Sequence, residues 1–207
     1  MRKQLLILTK SNKKRHDGSY GKCVAGIAKK TDGQYEWIRL VADRSGDSIL
    51  DSDFPYKPLD IIEADLHPCP NGNHIENCTY DFVSKKRTIS VEQLKDIYRE
   101  MPHSFFGSMA SKYDGVPAKS LTILLASNIR IYWEESGGVK RQRMDFNMGN
   151  NRAIGISMTD PDYYTNKAVN EERHIPLAIC VASLPDQPVY NKFIASIFPI
   201  DSYNKNY

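Results

Sequence analysis

Tyr20-Gly21-Lys22-Cys23-Val24-Ala25-Gly26-Ile27-Ala28 and Tyr35-Glu36-Trp37-Ile38-Arg39-Leu40-Val41-Ala42 are the two stretches whose reading decides the fold. Both have strand composition. Between them lies Lys29-Lys30-Thr31-Asp32-Gly33-Gln34, and its Asp-Gly pair favours a tight hairpin turn. Upstream, residues 4–10 are apolar and β-rich. Downstream, residues 43–58 are polar and contain Pro55 and Pro58, so they read as a loop. Residues 59–66 and 74–83 read as two more strands.

The period then changes. Ser90 and Gln93 form a capping-box pattern, and Val91, Leu94, Ile97 and Tyr98 have helical spacing, with Pro102 as the far limit. A Gly/Ser-rich stretch follows from Ser104 to Gly115. Strand composition returns at 120–133. Gly137-Gly138 turns the chain into 139–147, and Gly149-Asn150-Asn151 turns it into 152–159. Runs at 175–184 and 189–198 complete about ten short strands around one helix, a pattern that fits small β-barrels or a sandwich.

Composition agrees with a folded chain and excludes several classes. Of 207 residues, 41% are hydrophobic and 26% charged, and 12 Tyr, 7 Phe and 2 Trp argue against disorder. No apolar run reaches the length of a membrane span. The run Leu5–Leu8 turns polar at Thr9-Lys10, too soon for a signal-peptide core, so the expected location is cytoplasmic. Four cysteines do not suggest a disulfide scaffold. The net charge of +3 hides two opposed blocks. Residues 1–30 hold nine Lys/Arg against one Asp, and residues 31–82 hold three against eleven acids. The basic block suits a polyanion partner. The competing reading folds the acidic block against it.

Internal similarity supports two modules. Leu5-Leu6-Ile7-Leu8-Thr9-Lys10-Ser11 and Leu121-Thr122-Ile123-Leu124-Leu125-Ala126-Ser127 share Leu, Ile, Leu and Ser at matching places. Ala25-Gly26-Ile27 also echoes Ile154-Gly155-Ile156.

Several segments point to one family. Leu5–Ser11, Lys22–Ile27 and Glu36–Val41 resemble the first half of the dual OB-fold-containing family of bacterial proteins. His74-Ile75-Glu76-Asn77 is similar to its His-x-Glu-Asn element. Met158-Thr159-Asp160-Pro161 and Tyr190–Phe198 resemble its closing motifs. The resemblance implies an all-β fold with minor α content. It implies two OB-like β-barrels, at 1–83 and 120–207, joined by a helical, Gly/Ser-rich connection at 84–119. It also implies recognition of nucleic acid, in the setting of bacterial conflict systems, and brings no catalytic residues with it.

Two patches are candidates for that recognition. A period of two puts Tyr35, Trp37 and Arg39 on one face of their strand, an aromatic and guanidinium stripe on which bases of a single strand can stack. Lys10, Lys13, Lys14 and Arg15 are expected in the loop after the first strand, where OB folds hold oligonucleotides. The competing reading makes Trp37 core and Arg39 a surface residue paired with an acid. The second patch is Arg141 and Arg143 with Tyr132 or Trp133. Its competing reading is an exposed hairpin whose cations balance Glu134 and Glu135.

Chemistry beyond binding has weaker signals. His67, Cys69, His74 and Cys78 offer four zinc donors within twelve residues, but their spacing matches no standard ribbon or knuckle, and Pro68 and Pro70 flank Cys69. Cys23 and Cys180 read as small core residues. Glu63 and Asp65, with Asp43 or Asp47, are the carboxylates a metal-dependent nuclease would use. No nucleophile elbow, phosphate-cradling glycine loop or His-Glu-x-x-His motif is present. The expectation is therefore a non-catalytic protein without cofactor or metal that binds single-stranded DNA or RNA. The alternative is a protein-interaction scaffold that docks partners on its acidic loop 43–53.

Overall fold

The computed structural model describes residues 1–71, 74–100, 121–148, 150–160, 171–173, 177–186 and 189–198. Two compact units divide the chain, Met1–Met101 with Gly115–Ser120, and Pro102–Asp114 with Leu121–Tyr207. The expected Gly/Ser-rich connection at 104–115 lies outside the described residues.

The first unit is a closed ring of five strands. They are β1 (Arg2–Lys14), β2 (Tyr20–Lys29), β3 (Tyr35–Leu40), β4 (Asp60–Pro68) and β5 (Asn77–Thr88). The ring order is β1-β2-β3-β5-β4, with β4 returning to β1 and β3 running parallel to β5. The Asp-Gly hairpin forms as its sequence dictates: Lys30 N donates to Gln34 O at 2.7 Å, and Gln34 N to Asp32 Oδ1 at 2.9 Å. Two boundaries differ from the expected ones. β1 continues to Lys14, paired with Tyr20, and β5 continues to Thr88, so this ring extends past residue 83.

Alternation along these strands sends Leu5, Ile7, Val24, Ile38, Leu40, Ile62, Ala64 and Leu66 into one core. The long connection between β3 and β4 adds Ile49 and Phe54, and Phe54 packs edge-on to Tyr56 and Tyr80. A bulge in β1 between Ile7 and Thr9 tightens the curl. The crossing of β1 over β2 is so close that a Cβ at Gly26 would lie 2.0 Å from Leu6 O, which only glycine permits.

Helix α1 (Val91–Glu100) follows β5. Its capping box closes as expected: Gln93 N donates to Ser90 Oγ at 3.3 Å, and Ser90 N to Gln93 Oε1 at 3.0 Å. Among the described residues no helix is long and apolar enough to cross a membrane.

The second unit contains β6 (Leu121–Ser136), β7 (Val139–Met148), β8 (Asn151–Met158), β9 (Glu171–Arg173), β10 (Leu177–Asp186) and β11 (Val189–Phe198). Its sheet order is β10-β11-β8-β7-β6-β9, and a further β10–β6 pairing brings the sheet back on itself. Setting the three-residue β9 aside, the order repeats that of the first ring, including a parallel pair of third and fifth strands, β8 and β11. The fold is thus mostly β, two OB-like barrels with one described helix. Its core holds Ile129, Ile131, Met144, Phe146, Ile156, Met158, Ile194 and Ile197. β1 and β6, whose sequences resemble each other, are the first strands of the two rings. The Ala25-Gly26-Ile27 echo does not correspond in structure, because it lies in β2 and Ile154-Gly155-Ile156 lies in β8.

Candidate nucleic-acid interface

The stripe on β3 forms, but its members differ in access. Ile38 and Leu40 enter the core, so Tyr35, Trp37 and Arg39 share the opposite face. Tyr35 and Trp37 are half-buried, and neither belongs to a core cluster. Lys29 Nζ sits 5.8 Å from the Tyr35 ring centroid, a cation–π contact at the hairpin. Arg39 departs from both readings of the sequence. It is not on the surface, and the side chain that meets it is an amide. It is 4% exposed, and its Nε donates to Asn77 Oδ1 at 2.7 Å.

The basic segment is also placed differently. Lys10, Lys13 and Lys14 belong to strand β1, and only Arg15 opens the following loop, because the β1–β2 ladder runs on to Lys14. Lys10 Nζ pairs with Asp51 at 2.8 Å and donates to Phe54 O, so it ties the 41–59 connection to β1. Arg15 Nη2 lies 3.5 Å from Asp47 Oδ2, and Nη1 donates to Ser48 O. Lys13 Nζ reaches Gly46 O at 3.5 Å. Burial pushes its ammonium below the usual lysine value, with the charge of Arg39 adding to the effect. Lys14, Lys29, Lys30 and Arg44 are exposed. Asp51 also faces Lys22 at 3.7 Å. Much of the acidic loop therefore folds onto the basic strands and neutralises them, the competing reading of the two charge blocks.

In the second ring, Tyr132 stands opposite Arg143 and Glu134 opposite Arg141. Arg143 is half-buried and engaged: Nε donates to Glu134 Oε2 at 2.8 Å, and Nη1 donates to Gly155 O and Ser157 Oγ. Tyr132 donates to Asp145 Oδ1 at 3.1 Å, and its ring lies 5.0 Å from the Arg130 guanidinium carbon. Burial first, then the Asp145 carboxylate, raises the Tyr132 phenol above its usual value. Arg141 is exposed, and Lys140 Nζ lies 5.7 Å from the Trp133 ring.

A family model described as the dual OB-containing domain matches residues 3–197. The chain belongs to that family. No curated protein matches it.

In an OB fold, oligonucleotides lie on the strand 2–3 face and against the loops joining strands 1–2 and 4–5. In this dual-OB chain those loops are residues 15–19 and 69–76, and the 43–48 turn lies between them. Ser45 Oγ is 3.4 Å from His16 Nδ1 on one side, and Asn71 Nδ2 donates to Ser45 O at 2.7 Å on the other. The Arg39–Asn77 bond sits by the same turn, since Gly46 faces Asn77 Nδ2 and Arg39 Nη2. Sequence reading missed Gly46, Asn71 and Asn77 at this turn. The His-x-Glu-Asn element was the available signal for Asn77.

The zinc donors form no group of three or more that could hold a metal among the described residues, although Cys69 lies near Cys78. Cys78 joins the barrel core, where burial pushes its thiol up to about 11. His67 faces Asp81 at 2.9 Å, and His74 Nδ1 lies 3.6 Å from Glu76 Oε1. The nuclease carboxylates diverge. Glu63 pairs with Lys86 at 2.9 Å and Asp65 with Arg2 at 2.8 Å, whereas Asp43 and Asp47 cap turns at Ser45 and Ser48. Cys23 is half-buried rather than core, and the Cys180 side chain lies outside the described residues.

Proposed function

We propose that the protein binds single-stranded nucleic acid across the β2–β3 face of its first barrel, without catalysis. The observation that carries this reading is the half-buried Tyr35–Trp37 stripe, outside the core clusters, with Lys29 and Lys30 exposed at the hairpin beside it. Bases stack on Trp37 and Tyr35, and the exposed lysines meet phosphates. Lys10, Arg15 and Arg143 hold their own barrels together through ion pairs and backbone bonds. Arg141 and Tyr132 on the second barrel are the corresponding secondary contacts. An interaction scaffold is less well supported, because Asp47 and Asp51 of the acidic loop are engaged by Arg15, Lys10 and Lys22.

Fluorescence anisotropy with labelled single-stranded DNA, single-stranded RNA and a duplex, each at low and near-physiological salt, tests the reading. Binding to a single strand is expected to weaken with salt, because it releases counterions from the phosphates and that release is less favourable at higher salt. Trp37→Ala is expected to weaken it about 5- to 140-fold, the loss of about 1–3 kcal/mol of stacking. Binding that ignores Trp37 would indicate charge attraction alone. No binding at low salt would overturn the reading in favour of the scaffold.

A further inference from the structure

A single exposed phenylalanine needs no explanation on a protein surface, but one held in left-handed backbone does. Phe82 is 60% exposed and has φ +40°. It is the extra residue of a bulge, because Ala64 stands opposite Val83 and Asp65 opposite Asp81. Bulges blunt sheet edges, yet glycine or asparagine would occupy this one with less strain. The bulge instead aims an aromatic ring into solvent.

The ring is also held in place. Arg2 stands opposite Asp65, and its guanidinium carbon lies 4.9 Å from the Phe82 ring centroid. Arg2 is itself fixed by a two-pronged bond to Asp65: Nε donates to Oδ1 at 3.1 Å and Nη2 to Oδ2 at 2.8 Å. Ile62, Ala64 and Leu66 enter the core, so Glu63, Asp65 and His67 lie on the outer face of β4. The charges of this face come in pairs. His67 faces Asp81 at 2.9 Å, and Lys86 faces Glu63 at 2.9 Å. With Arg2 and Asp65, three basic and three acidic side chains share the face with one ring. A polyanion approaching it would meet the three carboxylates. A copy of the same face offers both signs of charge and a second ring. An aromatic anchor inside a polar rim is the anatomy of a protein–protein contact.

We propose that the outer face of β1, β4 and β5 is the contact of a reversible two-fold homodimer, with Phe82 of one protomer packed on the partner's Phe82. A two-fold axis through Phe82 lays the patch on itself, so the acids of one copy meet the bases of the other. Arg2 occupies one face of each ring and leaves the other for an offset aromatic pair. The dimer does not rest on nucleic-acid binding, since β2 and β3 carry none of these residues.

The test is a dilution series of the full, ¹⁵N-labelled chain from about 1 mM to about 0.02 mM, with sedimentation equilibrium on the same samples. The mass is expected to rise with concentration toward that of two chains. The backbone amide signals of Arg2, Asp81 and Phe82 are expected to shift with it, and those of Tyr35 and Trp37 to stay in place. Phe82→Asn suits the left-handed backbone and removes the ring. It is expected to weaken association about tenfold, with a urea midpoint no lower than that of the parent chain. Asp81→Lys, at a side chain that is 80% exposed, is expected to weaken association several-fold by unbalancing the rim. A monomer mass throughout overturns the proposal, as do shifts confined to another face or association unchanged in both variants. A urea midpoint clearly lowered by Phe82→Asn puts the ring in the service of the fold and also overturns it. A monomer whose Arg2 and Phe82 signals shift instead with an oligothymidylate assigns this face to nucleic acid and overturns the dimer.

Discussion

Val41 N donates to Cys78 O at 3.0 Å in the first barrel, and Thr159 N donates to Ile194 O at 2.8 Å in the second. Each bond follows directly on the parallel pairing of third and fifth strands, Leu40 with Cys78 and Met158 with Ile194. Arg39 is therefore the counterpart of Ser157, and Asn77 of Phe193. At one point of a shared topology, the first barrel places a buried cation and a buried amide, and the second places a hydroxyl and an aromatic ring. The second barrel also brings an arginine to that point, Arg143 on β7, but Glu134 neutralises it. The difference teaches that strand order makes both barrels, and that the same point of the ring holds an arginine matched by a carboxylate in one and by an amide in the other.

The largest effect expected tests the shared part of the comparison. Phe54 is 0% exposed and Phe146 2% exposed, each in the core of its own barrel. Phe54→Ala and Phe146→Ala should each cost about 3–5 kcal/mol in urea unfolding. A cost below about 1 kcal/mol for either would mean that its barrel is not packed as described.

The next tests the divergent part. Asn77→Leu leaves the Arg39 charge buried without its acceptor and should cost about 2–3 kcal/mol. The double substitution Arg39→Met with Asn77→Leu removes both partners and should be close to wild type, within about 1 kcal/mol. A double variant as unstable as Asn77→Leu alone would show that Arg39 serves the fold, and the contrast with Arg143 would fail.

Alkaline pH should act on both barrels more gently, since burial also raises Tyr80 and Cys78 in the first. Tyr132 is held protonated in the folded state, so its contribution is whole below about pH 10 and is lost as pH rises through its raised value. Tyr132→Phe should cost about 1 kcal/mol at neutral pH and flatten that alkaline loss in thermal melts. An alkaline loss unchanged by the substitution would remove Tyr132 as its source. The smallest effect is at Lys14, which is exposed and without an ion pair among the described residues. Lys14→Ala should leave stability within about 0.5 kcal/mol and lower the salt slope of strand binding by about 1.

Local features were legible because their causes are local. The Asp32-Gly33 hairpin, the Ser90–Gln93 capping box and the alternation of Ile38 and Leu40 each depend on residues a few positions apart. Their expected forms match the structure. The reach of β1 to Lys14 was not legible, because Lys13 and Lys14 lack strand composition and are held by pairing with Gly21 and Tyr20. Nor was the fate of Arg39. Period two placed it on the outer face correctly. Its burial comes from the 43–48 turn and from Asn77, which is 38 residues away.

The sequence by itself determined two strand-rich halves, the turns between their strands and the aromatic stripe on β3, since backbone propensity and alternation act over a few residues. Tertiary structure decided which charges remain free. It turned Asp47 and Asp51 onto Arg15 and Lys10, and it set the Arg39 guanidinium against Asn77. A charge is quenched or exposed according to what the fold brings within a few ångströms of it, and that distance is set by pairings between residues far apart in the chain.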